Sequence, residues 1–386
     1  MVRAVRAGKS MRAVAHQFAV SVSTVAKWVE RAKGKRLDRV DFADRAPGCV
    51  VAWNRVDEGA ERRIVELRMR LRDTSILGEY GAQAIQAALQ AQRWPVVPSL
   101  ATINRVLARS GAQDGAHRQR RPAPPRGWYL PAVAAGKAEV DSFDLIEDLK
   151  IANGPLVSVL TATSVHAGLV DAWPLEQASA KAVFERLIGR WRREGLPQYA
   201  QFDNGTQFQG AHQWADSIGR ITRLCLVLGV IPVFAPPREP GFQNAIESFN
   251  ALWQAKLWQR YQFEGLAQLQ ALSASYVSAH RARSAQRREY APSRGNFPAA
   301  FEPDLNAVPT GMIIFLRRSD EAGSVHLLGR RFALPDNWKH RLARCEVDLD
   351  AHEIRFFALR RRDPTSQPLL ARVPYHRKHK PFRGEL

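Results

Sequence analysis

Between residues 137 and 281 apolar segments of two different periods alternate, and that order limits the fold more than any other feature of the chain. Residues 137–144, 155–163 and 167–173 read as three strands, the second rich in β-forming residues (Leu156, Val157, Val159, Leu160). Residues 178–193 place Val183, Phe184, Leu187, Ile188 and Trp191 at helical spacing. A short strand at 198–203, a helical region at 211–228, a strand at 230–234 and helices at 242–260 and 264–281 follow. Strands interleaved with helices predict an α/β core built on one sheet.

The remaining sequence is long enough for further domains, since the chain has 386 residues. Its formal net charge of +20 and pI near 10.6 suit a polyanionic partner. Cys49, Cys225 and Cys345 lie far apart and form neither a ligand spacing nor a disulfide framework, which fits a reducing cytoplasm. The first residues lack the apolar core of a signal peptide, and no apolar run is long enough to span a bilayer, so no membrane role is expected.

Residues 1–37 carry nine Lys or Arg and a single acid, Glu30. Met11, Val14, Ala15 and Phe18 repeat at helical spacing, a break follows at Ala19-Val20-Ser21, and a second helix starts after Ser21. This predicts a helix-turn-helix with Val25, Trp28 and Val29 facing inward. Ser23, Thr24 and Lys27 would face out, toward a DNA major groove. A second such unit, or a winged helix, is expected over 58–111, with residues 99–107 as its recognition helix. A dimerising helical bundle is the alternative there. Residues 112–131 read as a basic, proline-rich linker. The β-rich stretch 308–365 predicts a small all-β, SH3-like barrel, and 366–386 a basic tail.

Two short motifs carry the chemistry. Gln201-Phe202-Asp203-Asn204-Gly205-Thr206-Gln207-Phe208 ends a strand in an acid, and Gly241 through Asn250 places Glu247 near the start of a helix. Asp141 lies upstream on the first strand. Hard divalent cations prefer carboxylate oxygens, and two of them can activate an attacking oxygen and relieve charge on a leaving one. Each acid also has a plain reading: Asp203 in a turn, Glu247 as an ordinary helix charge, Asp141 as a strand charge.

Taken together, 137–290 resembles the catalytic core of the DDE integrase and transposase superfamily, whose core is ribonuclease H-like. Residues 202–208 are similar to its second-acid motif and 241–250 to its third-acid helix; Glu139-Val140-Asp141-Ser142-Phe143 resembles the first-acid strand more loosely. The resemblance implies a core over 132–290 with Asp141, Asp203 and Glu247 as catalytic metal ligands for two Mg²⁺ or Mn²⁺. Asp144 is the rival for the first position, since a residue three along a strand points to the other face. The 43 residues between Asp203 and Glu247 exceed the family's usual spacing. The twin helix-turn-helix front and β-rich end look more like bacterial insertion-sequence transposases than retroviral integrases.

The expectation is therefore an enzyme that binds double-stranded DNA at element ends, nicks them and joins them to target DNA. It would act as a homo-oligomer at the nucleoid, in some systems with a helper ATPase. Arg281, Arg283, Arg287 and Arg288 would track the DNA backbone. The rivals are a DNA-binding regulator with an inactive core and a nuclease without joining activity.

Overall fold

The computed structural model describes residues 1–43, 56–113, 125–152, 154–210, 214–377 and 382. Cys49, His212, most of the expected linker and the end of the basic tail lie outside the described residues. Residues 1–61 and 62–386 form two compact units.

The first unit holds α1 (Val2–Arg6), α2 (Met11–Gln17) and α3 (Val22–Arg31). Ser10 and Ser21 cap α2 and α3 by accepting the amide protons of Ala13 and Thr24. Ala19 turns the chain between them with φ of 50°. Val14 and Val25 are fully buried against each other's helix, as the sequence pattern required, whereas Met11 and Phe18 stay exposed.

α4 (Glu58–Thr74) runs across the division into the second unit, where α5 (Ala82–Ala91) and α6 (Leu100–Arg109) follow. These bury Ile64, Leu67, Ile85, Leu89, Ile103 and Val106. Ser99 caps α6 through the amide of Thr102. A short helix, α7 (Pro131–Ala134), then leads into β1 (Val140–Lys150), β2 (Leu156–Ser164) and β3 (Val170–Leu175). There follow α8 (Ala180–Glu194), β4 (Tyr199–Phe202), α9 (Thr206–Gln209), α10 (Arg220–Val227) and β5 (Ile231–Phe234). Next come α11 (Asn244–Trp253), extended by a π turn over Gln254–Trp258, then α12 (Leu266–Arg283) and α13 (Gln286–Glu289). The order of strands and helices is the one expected from the sequence. β1, β2 and β3 form an antiparallel meander, and β4 and β5 add in parallel on the other side of β1.

Helices cover both faces of this sheet, which is why its central strands are apolar on both sides. On one face Phe143 and Leu160 pack against Val183, Leu187 and Trp191 of α8. On the other, Ile146, Val159 and Ala172 pack against Phe249 and Trp253 of α11 and Tyr276 of α12.

The C-terminal region departs from expectation. β6 (Met312–Arg318) pairs in parallel with β5, placing Val233 opposite Ile314 and Phe234 opposite Phe315. β9 (Leu342–Asp348), β10 (Glu353–Leu359) and β11 (Leu369–Pro374) then extend the same sheet by antiparallel pairing, while β7 (Ser324–Leu327) and β8 (Arg330–Ala333) form a separate hairpin. The result is a nine-stranded open sheet in the order β11-β10-β9-β6-β5-β4-β1-β2-β3, not a core plus a closed SH3-like barrel. The physical reason is a row of aromatic rings running across it. Phe143 stacks on Phe202 at 5.4 Å, Phe202 meets Phe234 at 6.0 Å, and Phe234 stacks on Phe315 at 5.1 Å. Ile313, Ile314, Phe315 and Leu316 are all buried, so β6 needs cover on both faces and finds it as an interior strand. Among the described residues no helix is long and apolar enough to cross a membrane.

Candidate active site

The faces of β1 decide which acids can meet. Phe143 and Asp141 face α8, while Ser142, Asp144 and Ile146 face α11. The parallel register with β4 sets Asp141 beside Ala200 and Ser142 beside Gln201. Two residues further on, the same register carries Asp144 alongside Asp203, just past the end of β4. Adjacent strands lie about 4.8 Å apart, so these two carboxylates are neighbours. Asp141 and Asp203 are not: they leave the sheet on opposite faces.

Asp141 is instead a buried structural charge. Its side chain has no exposure and accepts hydrogen bonds from Arg190 Nε at 3.0 Å, Arg294 Nη2 at 2.8 Å, Ser164 Oγ at 2.6 Å and Trp191 Nε1 at 3.2 Å. Burial alone would raise its proton affinity, but the guanidinium groups of Arg190 and Arg294 hold the carboxyl far below the usual range. All of its lone-pair directions are spent on these donors, which leaves no place for a metal ion. Asp141, expected as the first acid, here ties β1 to α8 and to the segment after α13.

Asp144 takes the other environment. It is half-buried, and Asn250 of α11 donates to its Oδ2 at 2.8 Å. Burial, then the charge of Asp203, then that of Glu247 push its carboxyl up to about 6, against the hydrogen bonds to Leu145 and Asn250. Asp203 is also raised, by burial, with the Gly205 amide opposing. Glu247 sits exposed in the first turn of α11. Among the described residues no three His, Cys, Asp or Glu side chains come close enough together to hold a metal ion. Asp144 is within electrostatic reach of both Asp203 and Glu247, and each repels it. Their donor chemistry, all carboxylate oxygen, fits a hard divalent cation, and such an ion would relieve that repulsion.

Two sets of contacts support this cluster. The Gly205 amide donates to Asp203 Oδ1 at 2.9 Å, closing the turn that presents the acid. A Cβ at Gly205 would stand 3.0 Å from that same oxygen, so a larger residue there would have to push the acid aside. Behind it, Asn204 donates to the Ala235 carbonyl at 2.7 Å and accepts from Arg317 Nη2 at 2.8 Å. Arg317 comes from β6, is buried, and spends its other donors on the carbonyls of Ala235, Leu316 and His326. The C-terminal strands thus hold the second-acid turn directly. On the other side, Tyr129 Oη and Gln201 Nε2 both donate to the Phe242 carbonyl, at 2.7 and 3.1 Å, fixing where α11 begins. Arg317 and Tyr129 lie outside every motif, and only long-range pairing reveals them.

The expected DNA contacts divide. Ser23 is exposed and Thr24 half-buried, and both hydroxyls bond to Ser21 Oγ at 2.7 and 2.8 Å; Lys27 is exposed on the same helix. Arg281 pairs with Asp171 and Glu194, and Arg283 with Glu79, so the charge of each has a partner within the unit. Arg288 donates to the Arg281 carbonyl at 2.9 Å, and Arg287 to that of Val165 at 2.7 Å. Trp253 is buried, and its Nε1 donates to Ser273 Oγ at 3.1 Å, a core role. Lys256 donates to the Gly78 carbonyl at 3.2 Å.

No protein-family profile matches the chain. No curated protein matches it either. Among solved structures, the catalytic core domain of BIV integrase is similar at 17% identity, over 36% of this chain and 81% of that one, with a TM-score of 0.28. The simian T-cell lymphotropic virus intasome, in complex with a PP2A regulatory subunit, is similar at 14% identity, over 62% of this chain and 87% of that one, with a TM-score of 0.33. At such low overlap neither likeness decides anything about this chain.

Proposed function

We propose that this protein is a DDE-type polynucleotidyl transferase that nicks the 3′ ends of a DNA element and joins them to target DNA, with Asp144, Asp203 and Glu247 as its three acids. The observation that carries the reading is the register of β1 and β4, which puts Asp144 beside Asp203 on the face crossed by α11. The rise in the Asp144 carboxyl caused by burial, Asp203 and Glu247 supports it. A site of this kind would take two Mg²⁺ or Mn²⁺, which when bound supply charge stabilisation at the attacking and leaving oxygens.

The chain's own residues do the positioning. Asn250 orients Asp144, the Gly205 amide orients Asp203, and α11 carries Glu247 over both. α3 and α6 are the proposed recognition helices, each capped by a serine. Joining two ends requires two active sites, so a dimer or larger assembly on double-stranded DNA is part of the proposal.

The test is Mn²⁺-dependent nicking and strand transfer by single variants. Asp144→Asn, Asp203→Asn and Glu247→Gln should each lose at least a hundredfold in activity while keeping DNA affinity and a cooperative fold. Asp141→Asn should instead unfold at lower temperature. Full activity in Asp144→Asn would overturn the assignment.

A further inference from the structure

The far end of α11 meets the segment that joins α4 to α5. Its π turn over Gln254–Trp258 bonds the Gln259 amide to the Gln254 carbonyl at 2.8 Å, a local departure from α geometry at the point of contact. From this turn Lys256 donates to the Gly78 carbonyl at 3.2 Å and stands 5.7 Å from the Tyr80 ring. One turn on, Arg260 donates to the carbonyls of Ser75 and Asp73 at 2.6 and 2.8 Å. These carbonyls lie at the C-terminal end of α4, the negative end of its dipole, where a cation is favoured. From the last turn of α12, Arg283 pairs with Glu79 and donates to Gln83 Oε1 at 2.9 Å. Leu77, between these contacts, packs against the core cluster of Trp253, Leu257 and Phe263. Gly78, at φ of +59°, makes room: a Cβ there would come within 2.7 Å of Lys256 Cδ.

These contacts tie α4–α6 to the helix that carries Glu247. α11 is firmly seated, with Phe249 and Trp253 buried beneath it and Trp253 Nε1 bonded to Ser273 of α12. Glu247 and Lys256 stand nine residues apart on this helix, which separates them by roughly 13 Å along its axis. The placement of α6 follows from the same docking. Its Leu100 and Asn104 line one cleft with Arg283 and the start of α5, so the first turn of the proposed recognition helix lies beside the end of α12.

We propose that α11 acts as a ruler: Lys256, Arg260 and Arg283 hold α6 at a set distance from the acids, and that distance selects which phosphodiester is cut relative to the sequence α6 reads. The inference rests on the polynucleotidyl transferase reading, which it deepens by assigning the position of the cut to residues that touch none of the three acids. They are positioning residues, acting through α6 and α11. Neighbouring phosphates of one strand are about 3.4 Å apart along DNA, so a slip of one step in the docking moves the cut to the next bond. Without the docking, several neighbouring phosphodiesters come within reach of the acids.

Docking and cutting are measured separately. Spin labels at Ala108→Cys on α6 and Ser278→Cys on α12, both exposed, report the docking by double electron–electron resonance, with Cys49→Ser leaving only the buried Cys225 and Cys345 as native thiols. Labelled protein is diluted with unlabelled protein so that distances within one chain are read. Wild type should give one narrow distance, and Lys256→Met/Arg260→Met a broad distribution. Nicking of an end-labelled element end in Mn²⁺ is mapped to the nucleotide. Wild type should cut one phosphodiester, whereas the double variant should spread its cuts over several neighbours while keeping its affinity for the end. Gly78→Asn, which suits the left-handed backbone but displaces the Lys256 stem, should spread the cuts in the same way. Should the double variant fail to fold, Gly78→Asn decides. Cuts confined to one phosphodiester in a variant with a broad distance distribution would overturn the ruler and leave the enzymatic reading standing, and so would a narrow distance in the double variant. A wild type that holds its narrow distance yet cuts nothing would sink the enzymatic reading and the ruler with it.

Discussion

At the scale of single residues, two aspartates three positions apart on one strand have opposite lives. Asp141 is held ionised by Arg190 and Arg294, and removing its charge leaves two buried guanidinium groups uncompensated. Asp141→Asn should therefore cost about 3–5 kcal/mol of stability. Asp144 works in the other direction. Its folded carboxyl titrates at about 6, above the ordinary 3.8, so between those values the native state holds more protons than the unfolded chain. Raising the pH through that window removes stability in the absence of metal. In EDTA, Asp144→Asn should be more stable than wild type at pH 8 by on the order of 1–2 kcal/mol, and the gap should close by pH 4. Mn²⁺ should reverse the order at pH 8, since only wild type gains by binding it. Thermal melts across pH, with and without Mn²⁺, check both signs; a gap that ignores pH would show that Asp144 is not raised.

At the scale of elements, the strands and helices of the core were legible because their apolar residues repeat at clear periods. Register was not. β1 is buried on both faces, so alternation could not say whether Asp141 or Asp144 looks toward α11, and Arg190, the partner that claims Asp141, is 49 residues away. The C-terminal strands were visible as strands, and one available signal pointed past a barrel. Met312 through Leu316 is an unbroken apolar run, which suits an interior strand better than the wall of a small barrel with one wet face. The cost of missing it was Arg317, which leaves that strand to grip Asn204. Arg317→Met should lower strand-transfer turnover at least tenfold by loosening the Asp203 turn, with little change in affinity for element ends. Comparable loss of end binding would mean that the substitution acts through folding instead. Phe315→Ala, which breaks the aromatic row, should destabilise the unit by about 3–5 kcal/mol in a urea melt.

At the scale of the whole molecule, nine strands sharing one sheet make the C-terminal region part of the same unit as the candidate site. A chain cut at residue 308 would expose the β5 edge and half of the main apolar cluster, which spans Phe143, Phe234, Phe315 and Phe356. That truncation should yield an insoluble or molten core, seen as lost near-ultraviolet circular dichroism. An independent barrel would leave a folded core with weakened DNA binding. The same continuity explains why the basic charge of the chain does not map simply onto DNA contacts. Many arginines, among them Arg190, Arg281, Arg317 and Arg344, are spent inside the unit on carboxylates and carbonyls. Under the proposed function, the cations that meet DNA come from other surfaces, and the carboxylates that hold metal come from the α11 face.

That last requirement is open to direct observation. A crystal soaked in Mn²⁺ and measured for anomalous scattering should show manganese in contact with Asp144 and Asp203, with Glu247 turned toward it, and no peak near Asp141. Manganese bound away from Asp144, or at Asp141 with Arg190 and Arg294 displaced, would contradict the account.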